Sequence, residues 1–233
     1  MLLNTDYPHN FLKGVNLGGG VVLEKWITPS LFEQTDAIDE YNFHLQTSPE
    51  IATNHYNSYI TGSDFEYLTG VGINCVRIPV GYWLFGGYPP FPKTVDYLDS
   101  AFFWAEKHGI QIIIDFHAAP GSQNGYDHSG EAGNIGWHLS RENIKTTLEI
   151  IEQISKRYCG KSNLYGIELL NEPHISISLN ILEDFYTSGY ALVRKYCNEY
   201  VKVIISDAFR PLKIAKLFKG SKYSNIILDS HYY

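Results

Sequence analysis

Gly166-Ile167-Glu168-Leu169-Leu170-Asn171-Glu172-Pro173 is the stretch from which the fold can be read. A short apolar run reads as a strand over 166–170, and it stops in an amide, a carboxylate and a proline that cannot continue the pairing. The same construction recurs along the chain. Residues 14–17, 74–80, 111–116, 202–206 and 225–229 also read as strands, each nearly continuous in Val, Ile and Leu and therefore expected to be buried on both faces. Polar groups gather at or near the C-terminal ends: Asn16, Arg77 inside the second strand, Asp115 and His117, Ser206-Asp207, and Asp229 with His231.

Helical patterns separate these runs. Ser63 with Glu66 reads as a capping box for a helix that stops near Gly70. Thr94 opens a helix with Leu98, Ala101, Phe102 and Ala105 on one face and Gly109 at its end. Ser140 caps another, residues 180–199 repeat the pattern, and Pro211 to Gly220 encloses a last one. The connections over 18–62 and 117–139 are too long for plain turns and are expected to carry function. Strands alternating with helices predict a parallel α/β fold. Gly18-Gly19-Gly20 is followed by Val21-Val22-Leu23, so the dinucleotide-binding turn of a doubly wound sheet is absent, as is a phosphate-binding P-loop. A (β/α)8 barrel fits better, with about the first six βα units present and residues 1–233 forming one partial barrel domain; its strand ends would converge on one catalytic rim.

Composition narrows the function. The 233 residues are 44% hydrophobic and 18% charged, enough to bury a core. Lys plus Arg number 18 against 25 Asp plus Glu, so nothing in the charge balance invites nucleic acid. Cys75, Cys159 and Cys197 are odd in number and lack C-x-x-C spacing; they read as small buried hydrophobes rather than a disulfide framework or zinc site. No apolar run reaches membrane-spanning length, and the N-terminus has neither the basic segment nor the apolar stretch of a signal peptide.

Glu172 is the sharpest candidate. A carboxyl just past a buried strand is expected to be partly desolvated and to hold a proton at neutral pH, as a general acid requires; the alternative is a structural ion pair, for instance with Arg77. Asn171 beside it is suited to a substrate hydroxyl. Arg77 is costly to bury without a carboxylate, whether that carboxylate is structural or catalytic. His117 and His231 repeat an Asp-x-His pattern at two strand ends, better suited to hydrogen bonding than to metal, since no close ligand cluster accompanies them. Trp26, Trp83, Tyr126 and Trp137 fall in rim segments, where flat rings suit the apolar faces of sugars.

The run Gly14-Val15-Asn16-Leu17-Gly18-Gly19 with Val22-Leu23-Glu24-Lys25-Trp26-Ile27, the segment Asn74-Cys75-Val76-Arg77-Ile78-Pro79-Val80, the loop His117-Ala118-Ala119-Pro120-Gly121-Ser122-Gln123-Asn124-Gly125, the triplet Asn171-Glu172-Pro173 and the closing His231-Tyr232-Tyr233 together resemble the fungal-type exo-β-1,3-glucanases of glycoside hydrolase family 5. The resemblance implies a retaining β-glycosidase barrel without cofactor or metal, whose members are usually extracellular or in the cell wall. It implies Glu172 as proton donor and base, Asn171 on the 2-hydroxyl, Arg77 and His117 as supports of the cleavage site, and Glu24 on the terminal glucose. His231 and Tyr233 would steady nucleophile and sugar, and Tyr126 would stack on the leaving sugar. Gly20, Lys25 and His128 depart from the family's usual Trp, Pro and Asn.

The family's nucleophile is a glutamate ending the seventh strand, and only six strands are read here. No residue takes that role by resemblance, and Asp207 and Asp229 sit on the wrong strands for it. The expectation is a β-glucan hydrolase completed by residues outside this chain, or by another polypeptide carrying the remaining barrel; alone, the chain is expected to be poorly stable and inactive. The alternative is a non-catalytic glucan-binding relic. An aldolase-type barrel would want a strand-end lysine, which no strand offers.

Overall fold

The computed structural model describes residues 11–220 and 222–232. Its frame is a parallel sheet of six strands: β1 Gly14–Asn16, β2 Cys75–Gly81, β3 Gln111–Ala118, β4 Leu164–Glu168, β5 Lys202–Ser206 and β6 Ile226–Asp229. They lie side by side in sequence order, every pair parallel. A doubly wound sheet would reverse direction at a switch point. This one never does, so it is the winding of a (β/α)8 barrel over its first six strands.

Each crossover is helical. Helices α1 Glu40–Gln46, α2 Pro49–Ser58 and α3 Gly62–Gly70 separate β1 from β2; α4 Val95–His108, α5 Arg141–Tyr158, α6 Leu179–Tyr196 and α7 Pro211–Leu217 follow the next four strands. The 18–62 connection, which reads in the sequence as a long loop, holds two helices. Their signal is thin: Pro49 opens α2 at a position that needs no N–H, but only Ala52 and Tyr56 are buried, too narrow a stripe to see in sequence. Helix α3 is capped by Thr61 with Asp64, not Ser63 with Glu66; Thr61 takes the extended conformation of a cap and its N–H donates to Asp64 Oδ2 at 2.7 Å. Gly109 ends α4 in the left-handed region, at φ 67°, as its position predicted. Helix α6 stops at Tyr196 because Cys197 is extended. None of the helices described is long and apolar enough to cross a membrane.

Side chains alternate across the strands. Val76, Ile78, Val80, Ile112, Ile114, Phe116 and Ile167 point outward and are buried in one core with Leu98, Phe102, Ile151, Ile154, Phe185 and Tyr186 of the helices. Removing each such side chain from water contributes about 1.5–3 kcal/mol as an upper figure. The opposite face is polar: Arg77, Asp115, His117 and Glu168 share it. Two-sided burial holds for β2 to β5 but not for β1 or β6, whose residues are exposed or half-buried. Among the described residues each of these has a neighbour on one side only.

The cysteines also differ from expectation. Cys159, capping α5, and Cys197, capping α6, form a disulfide with Cα atoms 4.8 Å apart; Cys75 is free and buried. Sequence spacing could not show it, because the pair is 38 residues apart and is brought together by the packing of two helices.

Candidate active site

Asn171 and Glu172 leave the sheet just past β4. The Asn171 N–H donates to Phe116 O at 2.9 Å, which carries the pairing with β3 beyond the strand, and Pro173 then removes the next donor. Glu172 itself sits in the left-handed region at φ 45° and is 6% exposed. That backbone costs a residue with a side chain about 1–3 kcal/mol and persists where the surroundings hold it. Asn124 does so, its Nδ2 donating to Glu172 O at 3.1 Å. Buried Gln123 splices the same two loops, donating to His117 O and Asn171 O at 2.7 and 3.0 Å and accepting from the Ala119 N–H. Sequence reasoning gave Gln123 and Asn124 no role of their own; the turn residues Pro120-Gly121 just before them were the available signal.

Two imidazoles grip the Glu172 carboxyl. His231 Nδ1 lies 2.5 Å from Oε1 and His128 Nε2 lies 3.4 Å from Oε2. The other His231 nitrogen, Nε2, meets Asp229 Oδ2 at 3.1 Å. With carboxylates at both nitrogens, Asp229 first and Glu172 second, His231 is held protonated up to about 10 despite burial. Thus Glu172 is not paired with Arg77, as either reading of that arginine had allowed.

Arg77 instead serves the floor of the site. Its Nε donates to Glu168 Oε2 at 2.8 Å, Nη1 meets Asp115 Oδ2 at 2.9 Å and Asn16 Oδ1 at 3.1 Å, and Nη2 donates to Asn171 Oδ1 at 2.8 Å. Glu168, which sequence analysis did not single out, is therefore part of the site; its partner stands 91 residues away. Burial pushes both the Asp115 and Glu168 carboxyls up, against the pull of the guanidinium. Burial also holds His117 well below its usual range, helped by His128 and Arg77, so it is a neutral imidazole. Its Nδ1 lies 2.5 Å from Asp115 Oδ2, which assigns the proton to Nδ1 and leaves Nε2 as acceptor 3.5 Å from Asn171 Nδ2. The Asn171 amide is thereby oriented from both ends.

Glu24, 4% exposed, accepts from the Gly19 N–H at 3.3 Å and from Trp26 Nε1 at 3.0 Å. A Cβ on Gly18 would lie 2.6 Å from Ile27 and 3.0 Å from Glu24 Oε1, so the glycine makes room for this carboxylate. Tyr126 is exposed and, with Asn124, His174, Ile175 and Phe209, lines an open cleft. Trp26 is exposed, but Trp83 and Trp137 are fully buried, one stacked on Phe91 and the other donating to Thr147. Neither can meet a ligand. Tyr233 lies outside the described residues.

The family model described as cellulase (glycosyl hydrolase family 5) matches residues 37–233. Among curated relatives, the glucan 1,3-beta-glucosidase of Blumeria graminis is 39% identical over 243 residues, spanning 98% of this chain and 56% of that protein. Its namesake in Schwanniomyces occidentalis is 39% identical over 251 residues, 99% and 59% of the two lengths. The chain thus spans a little over half the length of these relatives. Among solved structures, rutinosidase from Aspergillus niger superposes with a TM-score of 0.86 at 22% identity, over 94% of this chain and 68% of that one. Endoglucanase Cel5A from Thermotoga maritima gives 0.64 at 18% identity, over 95% and 60%. At such identities these two speak for the shared fold alone. With most of its length under the family model, the chain belongs to glycoside hydrolase family 5.

Proposed function

We propose that this chain carries the acid/base half of a retaining hydrolase that releases glucose from β-1,3-glucan, with the second carboxyl, the nucleophile, supplied from outside residues 1–233. The observation that carries the reading is the Glu172 elbow: a carboxyl in a left-handed turn at a strand end, held by Asn124 and faced by two imidazoles. Retaining cleavage needs two carboxyls about 5–5.5 Å apart, one attacking the anomeric carbon while the other protonates the departing oxygen. Glu172 would give its proton to the glycosidic oxygen as the bond to the anomeric carbon breaks, then recover one from the water that releases the glycosyl-enzyme. The 39% identity to glucan 1,3-beta-glucosidases supports the substrate class.

The remaining residues fit binding roles. Asn171 would donate to the 2-hydroxyl, oriented by Arg77 and His117. Glu24, buried with a backbone and an indole donor already on it, would accept from hydroxyls of the terminal glucose. Tyr126 would stack on the leaving sugar at the open cleft.

The test joins this chain to the C-terminal remainder of the Blumeria graminis relative and measures glucose release from β-1,3-glucan. Glu172→Gln is expected to lower the rate at least 10²–10⁴-fold, the usual contribution of a positioned acid. An unchanged rate on the polymer rejects the assignment. The 233-residue chain alone is expected to show no turnover, and hydrolysis by pure material of verified mass would place the nucleophile within it. Glucan binding without turnover by the fusion would favour a non-catalytic binding protein.

A further inference from the structure

Glu168 is fully buried and has no part in the proposed reaction, yet its surroundings are unusual. Asp115 and Glu168 are register partners on β3 and β4, both fully buried, and each gives one oxygen to the same Arg77. The other oxygens, Asp115 Oδ1 and Glu168 Oε1, are buried with no hydrogen-bond partner among the described residues. Asp229 on β6 adds negative charge toward both, while His231 and His128 act on Asp115 from the opposite sign. Tyr186 of α6 also faces Glu168, its hydroxyl occupied by Ser206 O. With every carboxyl ionised, one guanidinium would face two buried carboxylates at contact distance, two of whose oxygens lack any donor. That arrangement is costly. A single proton removes one of the two negative charges that face Arg77, so the two carboxyls titrate as a coupled pair.

We propose that Glu168 is a positioning residue: it shares one proton with Asp115 at neutral pH, and the singly charged pair clamps Arg77 so that Nη2 fixes the Asn171 amide with Nδ2 on the sugar's side. The sugar in this statement rests on the glycosidase reading above; the proton and the clamp do not. Burial is the main force raising the Glu168 carboxyl, opposed by Arg77 and reinforced by Asp115. A carboxyl raised in this way is protonated in the folded chain where the unfolded chain has released it. Its stabilisation is therefore greatest at acid pH and is lost as pH rises from the ordinary value, 4.5, to about 8.

Thermal unfolding of the 233-residue chain between about pH 5 and 9 tests this, with proton release on unfolding measured in buffers of different ionisation enthalpy. The wild-type Tm should fall across that range. Unfolding near pH 7 should release about one more proton from the wild type than from Glu168→Gln, whose amide imitates the protonated acid. Asp115→Asn should flatten the same slope. In NMR spectra the Asn171 side-chain amide signals should hold their positions in Glu168→Gln and move in Glu168→Ala, a difference that lost packing alone would not follow. An unchanged slope in Glu168→Gln, failure of both amide variants to fold, or unmoved Asn171 signals in Glu168→Ala would each overturn the proposal. These readouts need no catalysis. Intact slopes alongside an inactive fusion would count against the glycosidase reading and leave the clamp standing.

Discussion

Strands β3 and β6 both end in Asp-x-His, and the two pairs hold their protons in opposite ways. On β3, His117 is a neutral imidazole and burial pushes the Asp115 carboxyl up. On β6, His231 stays protonated to about 10 and Asp229 is held below its usual range, its burial outweighed by His231. The local sequence is nearly the same; the neighbours are not. β3 lies between β2 and β4, so Asp115 and His117 are buried, and Asp115 meets Arg77, a cation whose charge also acts on His117. β6 has only β5 beside it among the described residues, its side chains are half-buried, and His231 bridges two carboxyls. A buried histidine beside a cation gives up its charge, and a half-exposed one between anions keeps it.

The largest break in this comparison comes from removing the cation. Arg77→Met leaves Asp115 and Glu168 buried without a counter-charge, and loss of one partner from such a network costs about 3–5 kcal/mol. The midpoint of urea unfolding should fall accordingly, and a change below 1 kcal/mol would show that Arg77 is not what sets the β3 pair apart. Next in size is the disulfide, which closes the segment holding β4 and the Glu172 elbow, between the two pairs. For a loop of 38 residues, the double change Cys159→Ser/Cys197→Ser should cost about 2–4 kcal/mol, read from the same transition. The smallest effect, and the one that sharpens the contrast most directly, is titration. NMR should find His231 losing its proton near 10 while His117 stays neutral through the range in which histidine normally titrates. Because the folded value of His231 lies above the unfolded 6.5, its stabilisation is complete below that pH and lost as pH rises through about 10. In His231→Gln the loss above about pH 8, where Glu168 has already released its proton, should vanish; its persistence would mean another group is responsible.

Much of the frame was legible residue by residue. β5 occupies 202–206 as read, Gly109 stops α4, and Ser140 caps α5 by accepting from the Asn143 N–H. Asn171, Glu172, His117 and His231 were singled out because a polar group at the end of an apolar strand has one place to go in a barrel, and the structure brings Asn171 beside His117 and Glu172 beside His231. The errors share a cause. Trp83 and Trp137 lie in rim segments, but a ring can turn inward as readily as outward, and the core took both. Glu168 looked like one polar residue in a strand until Arg77, 91 residues away, came beside it. The cysteines looked unpaired until α5 and α6 packed.

Period and punctuation are local properties, carried by φ, ψ preference and by which side chains avoid water, so the chain alone specified its six strands, the helices from α3 onward and the acidic residue at the turn after β4. Partnership is not local. Which carboxyl Arg77 would meet, which histidine would be charged, and whether Glu172 would face an arginine or two imidazoles were decided only when distant strands came into register, because proton affinity depends on burial and on neighbouring charge within a few ångströms.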